Sequence, residues 1–255
     1  MRKIFLFLII FTIIITSIIT SCSKTPSEIQ KEQPTVSTNT DIQKNDEFID
    51  KFIFLGESTT YHLKHRGVLA EGTNTKQVWA PKSGTLMLDT TTCECRIIFP
   101  ETGEEIELSD ALKKKQPEYL MLTFGLNGAS NFINRGKEYF KLCYQKLINT
   151  VKNASPKTII YINSCFPIAK NMDMSKYKIN SKTLNSYIDT INVWAKEFAI
   201  QNSLIYINTA TTLKDKDGYL SDKYQVEDGY HLNTLAYKKI LNYIKTNPKG
   251  ESNES

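Results

Sequence analysis

Three short segments hold residue types and spacings that polar catalysis needs. Gly56-Glu57-Ser58-Thr59 closes a short apolar run. A serine on a tight strand-to-helix turn projects its hydroxyl into a cleft, and its N–H sits near a helix N-terminus, where negative charge is favoured. Gly125-Leu126-Asn127-Gly128 closes a second apolar run, and an asparagine there can donate an N–H to an oxyanion. Asp228-Gly229-Tyr230-His231 precedes a helical pattern. A carboxylate three positions before a histidine can accept the imidazole N–H and fix its tautomer. Taken together they supply a projecting hydroxyl, an amide donor and an imidazole whose tautomer a carboxylate can fix.

Each residue alone has a plainer reading. Ser58 could only cap a helix, and His231 could be a surface histidine; the case rests on finding them with Asn127. Asp222 and Glu227 lie near Asp228, but the spacing to His231 favours Asp228. The Gly-x-Ser-x-Gly signature is absent, since Thr60 stands at its last position. His62 and His65 are three apart on a helical segment. No carboxylate or third histidine is placed to complete a metal site with them, so they are read as cleft-edge or surface residues and no metal or cofactor is expected.

These segments need elements to bring them together. Lys51–Leu55, Tyr119–Phe124, Thr158–Ile162 and Leu204–Ile207 are continuous apolar or β-branched runs, as in strands buried on both faces. Gln77–Trp79 and Thr85–Leu88 are short and apolar, and a helix is expected from Thr59 to about Leu69. Arg96–Phe99 and Glu105–Leu108, joined through Pro100–Gly103, read as a hairpin, and Ser109 as the cap of a short helix ending before Pro117. Helical spacing recurs at Phe140, Cys143, Tyr144, Leu147, Ile148 and Val151, again at Leu184, Tyr187, Ile188, Ile191, Trp194 and Phe198, and at Tyr237, Ile240, Leu241 and Ile244. Trp79, Phe132 and Phe166 could line the cleft, but core packing is their default reading. Alternating buried runs and amphipathic helices predict an α/β domain with a mostly parallel sheet, whose ligands bind at the carboxyl ends of the strands.

In this order the three segments resemble the Gly-Asp-Ser, Gly-x-Asn and Asp-x-x-His blocks of the SGNH/GDSL hydrolases, from about Phe52 to about Ile244. The resemblance implies a three-layer α/β/α sandwich (flavodoxin-like) and ester hydrolysis through an acyl-enzyme. Ser58 would be the nucleophile, His231 the base and Asp228 its orienting acid. The Ser58 N–H, the Asn127 side chain and the N–H of a further glycine, for which Gly84 is the candidate, would form the oxyanion hole. Glu57 stands where the family has a loop-bracing aspartate, and Gly128 where an aspartate follows the asparagine.

Met1-Arg2-Lys3, the apolar stretch Ile4–Ile19 and Ile19-Thr20-Ser21-Cys22 read as a secretory signal. Cys22 resembles the lipidated cysteine of bacterial lipoproteins; an uncleaved membrane anchor is the alternative. Residues 1–21 are therefore expected as signal peptide, 22–46 as a polar flexible tether, 47–247 as the hydrolase domain and 248–255 as a disordered tail. The formal charge of +5, of which Arg2 and Lys3 supply two, carries no nucleic-acid signal. Beyond Cys22, the cysteines Cys93, Cys95, Cys143 and Cys165 are too few and scattered for a disulfide scaffold and are expected as free thiols. The expectation is an exported, lipid-anchored esterase facing away from the cytoplasm and acting on small acyl or glycan esters. A lysophospholipase or short-chain lipase, an O-acyltransferase and a non-catalytic glycan-binding module are the alternatives.

Overall fold

The computed structural model describes residues 47–251. The proposed signal peptide, Cys22 and the tether up to residue 46 lie outside the described residues, as do residues 252–255. The element order is β1 (Phe52–Gly56), α1 (Ser58–His65), β2 (Val78–Trp79), β3 (Arg96–Ile98), β4 (Glu105–Glu107), α2 (Leu108–Lys115), β5 (Tyr119–Thr123), α3 (Ala129–Arg135), α4 (Lys137–Ala154), β6 (Ile159–Asn163), α5 (Ser181–Gln201), β7 (Ile205–Ile207) and α6 (Thr234–Thr246).

Five strands form one parallel sheet in the order β2-β1-β5-β6-β7. Side chains alternate across it, as the strand period of two requires. Ile53, Leu55, Leu120, Leu122, Ile160 and Ile162 enter one core with residues of α2, α3, α4 and α5. Phe52, Phe54, Met121, Tyr161 and Ile207 enter a second with Leu63 of α1 and Tyr237, Ile240, Leu241 and Ile244 of α6. Both faces being covered explains why the strands read as continuous apolar runs. The result is the expected three-layer α/β/α sandwich. β3 and β4 form the expected antiparallel hairpin apart from the sheet.

The helix patterns hold, with differences at their ends. α1 stops at His65 rather than near Leu69. Ser109 is not a cap: α2 begins at Leu108 with Glu107 before it, leaving Ser109 in the first turn. Thr85–Leu88 forms no regular element. α3 went unforeseen because its seven residues bury only Ala129 and Phe132, too few to show a period. The tail departs from expectation over residues 248–251. Pro248 O accepts from Tyr161 Oη at 2.7 Å, Glu251 N donates to Tyr206 O at 2.9 Å, and Glu251 pairs with Lys196. Cys93, Cys95, Cys143 and Cys165 are free, and burial pushes the Cys95 thiol up to about 12.

After β1 the chain adds β2 on one side, then returns to place β5 on the other. This reversal opens a crevice at the carboxyl ends of β1 and β5, where such folds bind ligands. Ser58 follows β1 and Asn127 follows β5, so the topology delivers both to one place.

Candidate active site

Glu57 ties these two strand ends together. It is buried, and its carboxyl accepts from the backbone N–H groups of Gly125 (2.9 Å), Leu126 (3.1 Å) and Asn127 (3.0 and 3.1 Å). Burial pushes its carboxyl up to about 8, against the pull of the Gly125, Asn127 and Leu126 N–H groups. The loop after β5 is thus held by the acid that follows its neighbouring strand β1. Gly128 precedes the first residue of α3.

Ser58 opens α1, so its N–H has no intrahelical acceptor. Its Oγ lies 3.0 Å from His231 Nε2. On the other side of the ring, His231 Nδ1 lies 2.7 Å from Asp228 Oδ2. A carboxylate only accepts, so Nδ1 carries the proton and Nε2 is left to accept from the Ser58 hydroxyl. Asp228 Oδ1 accepts from the N–H groups of His231 (2.9 Å) and Tyr230 (3.0 Å). Burial opposes ionisation of Asp228, but those two N–H groups and the His231 ring outweigh it and hold the carboxyl below its usual range. Asp222 instead accepts from Gln225.

The loop carrying Asp228 and His231 is pinned on several sides. Val226 N donates to His231 O at 3.0 Å, and Ala169 N to Gly229 O at 2.7 Å. Arg66 Nε reaches Leu232 O at 3.2 Å, and Tyr237 Oη donates to Thr59 O at 2.6 Å, tying α6 to α1. Gly229 has φ of +78°, and a Cβ there would lie 3.0 Å from Met172 Cα. The glycine therefore permits both the left-handed turn and the close approach.

Ser58, Gly84, Asn127 and His231 line one cleft of about 730 Å³. Two proposed oxyanion donors are occupied. Gly84 N–H donates to Pro81 O at 2.9 Å within a tight turn, which corrects its reading as a free donor. Its role here is steric: φ is +76°, and a Cβ would sit 2.8 Å from the Tyr61 ring. Asn127 Nδ2 donates to Thr85 Oγ1 (3.2 Å) and Leu86 O (3.4 Å).

Sequence reasoning left His62 at the cleft edge. The structure places its ring on His231, with centroids 4.2 Å apart and planes 9° from parallel. The sequence signal reaches only as far as placing His62 on the helix face of Ser58, four positions on. His65 packs on Tyr61. Among the described residues no group of three or more His, Cys, Asp or Glu is arranged to hold a metal. Trp79, Phe132 and Phe166 are buried core residues.

Residues 54–244 match the family model described as GDSL-like Lipase/Acylhydrolase. No curated protein sequence matches the chain. Among solved structures, a Streptococcus pneumonia protein provisionally described as a platelet activating factor aligns with a TM-score of 0.50 at 16% identity, over 82% of this chain and 91% of that one. The periplasmic domain of the Salmonella ser. Paratyphi A lipopolysaccharide acetyltransferase aligns with a TM-score of 0.49 at 16% identity, over 84% and 89%. A carbohydrate esterase family 3 protein from Talaromyces cellulolyticus gives 0.49 at 11% identity, over 77% and 95%. At these identities the first shares the fold.

Proposed function

The chain belongs to the GDSL-like lipase/acylhydrolase family and is a carboxylic ester hydrolase; from that premise we propose that Ser58, His231 and Asp228 are its catalytic triad and that it removes short acyl groups, above all acetyl, from glycans outside the cytoplasm. The continuous chain from Ser58 Oγ through His231 to Asp228, at 3.0 and 2.7 Å, carries this reading.

The Ser58 oxygen attacks the ester carbonyl while its proton passes to His231 Nε2. The carbonyl electrons move onto oxygen, where the Ser58 N–H and one Asn127 N–H, released from Thr85 or Leu86, receive the charge. Collapse breaks the bond to the alcohol, which leaves with the proton from Nε2. Water then attacks the acyl-Ser58 ester, again giving its proton to His231, and the carboxylic acid departs as Ser58 regains its hydrogen. Asp228 keeps Nδ1 protonated and stabilises the imidazolium that forms twice per cycle.

The cleft wall supports the glycan reading. Tyr61, Tyr177 and Tyr230 supply flat rings for the C–H faces of sugars, and Ser83, Ser130 and Asn131 supply hydroxyl partners. The N-terminal sequence supports export and lipid attachment at Cys22. Met172 and Leu184 in the cleft, with half-exposed Met87 beside Gly128, favour a lysolipid or short-chain lipid ester as the second reading.

The test is labelling of the full chain by a fluorophosphonate and turnover of p-nitrophenyl acetate, beside Ser58→Ala and His231→Ala. Both variants should lose labelling, and kcat should drop roughly 10⁴-fold or more. An unlabelled, folded wild-type chain would refute the triad and favour a glycan-binding module. Acetate release from acetylated glycan exceeding release from lysolipid supports the substrate class; the reverse order, or acyl transfer to a sugar hydroxyl in place of water, overturns it.

A further inference from the structure

His231 is held at Nδ1 by Asp228 and at Nε2 by Ser58. Both contacts lie in the plane of the ring, so they resist tilting out of that plane only weakly and leave it to the side chain's own torsions. The ring faces remove this freedom. His62 lies flat on the imidazole at 4.2 Å and 9°, and Tyr230 packs on it at 4.0 Å and 40°. His62 is itself fixed by α1, one turn beyond Ser58, so nucleophile and stacking ring share one rigid element.

The stack also has an electrostatic consequence. His231 carries a positive charge whenever it holds the Ser58 proton. A neutral aromatic face against that cation is attractive, whereas a protonated His62 would set two cations 4.2 Å apart. The groups around His62 favour the neutral ring. Burial first, then His231, Arg66 and His65, hold it below the usual imidazole range, with Asp228 alone acting the other way.

We propose that His62 is a positioning residue for ester hydrolysis: stacked and neutral, it fixes the plane of His231, and its protonation switches turnover off. The inference rests on the triad reading above.

Steady-state kinetics on the full chain test it, with p-nitrophenyl acetate, wild type, His62→Ala, His62→Phe and Ser58→Ala. Loss of an aromatic stack should lower kcat in His62→Ala by ~3- to 10-fold, with KM changed less than about twofold. His62→Phe keeps a flat ring and should recover most of that loss. The pH profile separates positioning from mere support of the fold. If only the form with both rings neutral is active, log(kcat/KM) of the wild type falls on the acid side with a slope approaching about 2, and that of His62→Phe with a slope of about 1. Circular dichroism at each pH confirms that the chain stays folded over the range used. Equal acid slopes in wild type and His62→Phe would overturn the inference while leaving the triad intact. If His62→Ala does not fold, the slope comparison decides alone. Turnover surviving in Ser58→Ala would overturn the triad reading itself.

Discussion

At the scale of single residues, His231 depends on partners of opposite kind. Ser58 gives it a proton, and Asp228 fixes which nitrogen is free to take it. Asp228→Asn keeps the shape but lets an amide N–H face Nδ1, which moves the ring proton to Nε2 and turns it toward Ser58. The expected result is a kcat lower by roughly 10³- to 10⁴-fold with KM and fold little changed, read by steady-state kinetics and circular dichroism. A kcat within tenfold of wild type would refute the orienting role. Because the native Asp228 carboxyl lies below its ordinary value of 3.8, its contribution to stability is fully present above that value. That contribution is lost as pH falls through the lower folded value. A second residue-scale test concerns Gly84. Its left-handed φ and the Tyr61 ring leave no room for a methyl group, so Gly84→Ala should destabilise by ~1–3 kcal/mol in urea unfolding. A smaller loss would mean that the turn gives way.

At the scale of elements, the site is a joint between the ends of β1 and β5, and Glu57 is its fastener. Replacing it with leucine leaves three backbone N–H groups without their acceptor. At ~1–3 kcal/mol for each unsatisfied donor, Glu57→Leu should cost roughly 3 kcal/mol or more, and activity should fall with it as Asn127 loses its register. The carboxyl also has a pH signature. Its native value of about 8 lies above the ordinary 4.5, so the folded chain holds a proton that the unfolded chain has lost between these values. The stability this provides is full below 4.5 and is lost as pH rises through about 8. The melting temperature should therefore fall between about pH 4.5 and about pH 8 more steeply in wild type than in Glu57→Gln. Parallel curves for the two proteins would exclude Glu57 as the titrating group.

At the scale of the whole molecule, two cores share one sheet. Leu122 faces one core and Met121, its neighbour on β5, faces the other. Neither core can open without disturbing strands that the other needs. Leu122→Ala, at a fully buried position, should cost ~2–5 kcal/mol. Unfolding followed by far-ultraviolet circular dichroism and by tryptophan fluorescence should remain one coincident transition. Separate midpoints would show that the faces unfold independently. The same architecture positions the chemistry. Ser58 and His231 are far apart in sequence and meet because α1 and α6 pack on one face of the sheet, where Tyr237 Oη bonds Thr59 O.

Much of this was legible in the amino-acid order because it depends on local pattern. Continuous apolar runs at 51–55 and 119–124 identify strands buried on both faces, and the spacing of Phe140 to Val151 identifies a helix face. Asp228 and His231 are close enough in the chain for their pairing to be read from spacing. Other features depend on contacts between distant segments, which no local pattern encodes. Glu57 could be seen as a departure, but only packing shows its longer carboxyl reaching three N–H groups some 70 positions away. Gly84 looked like a donor until its N–H was seen bonded to Pro81 O, because turn geometry, not residue type, decides where an N–H points. The stack of His62 on His231 joins residues on separate elements, and only the packing of α1 beside the 228–231 loop creates it.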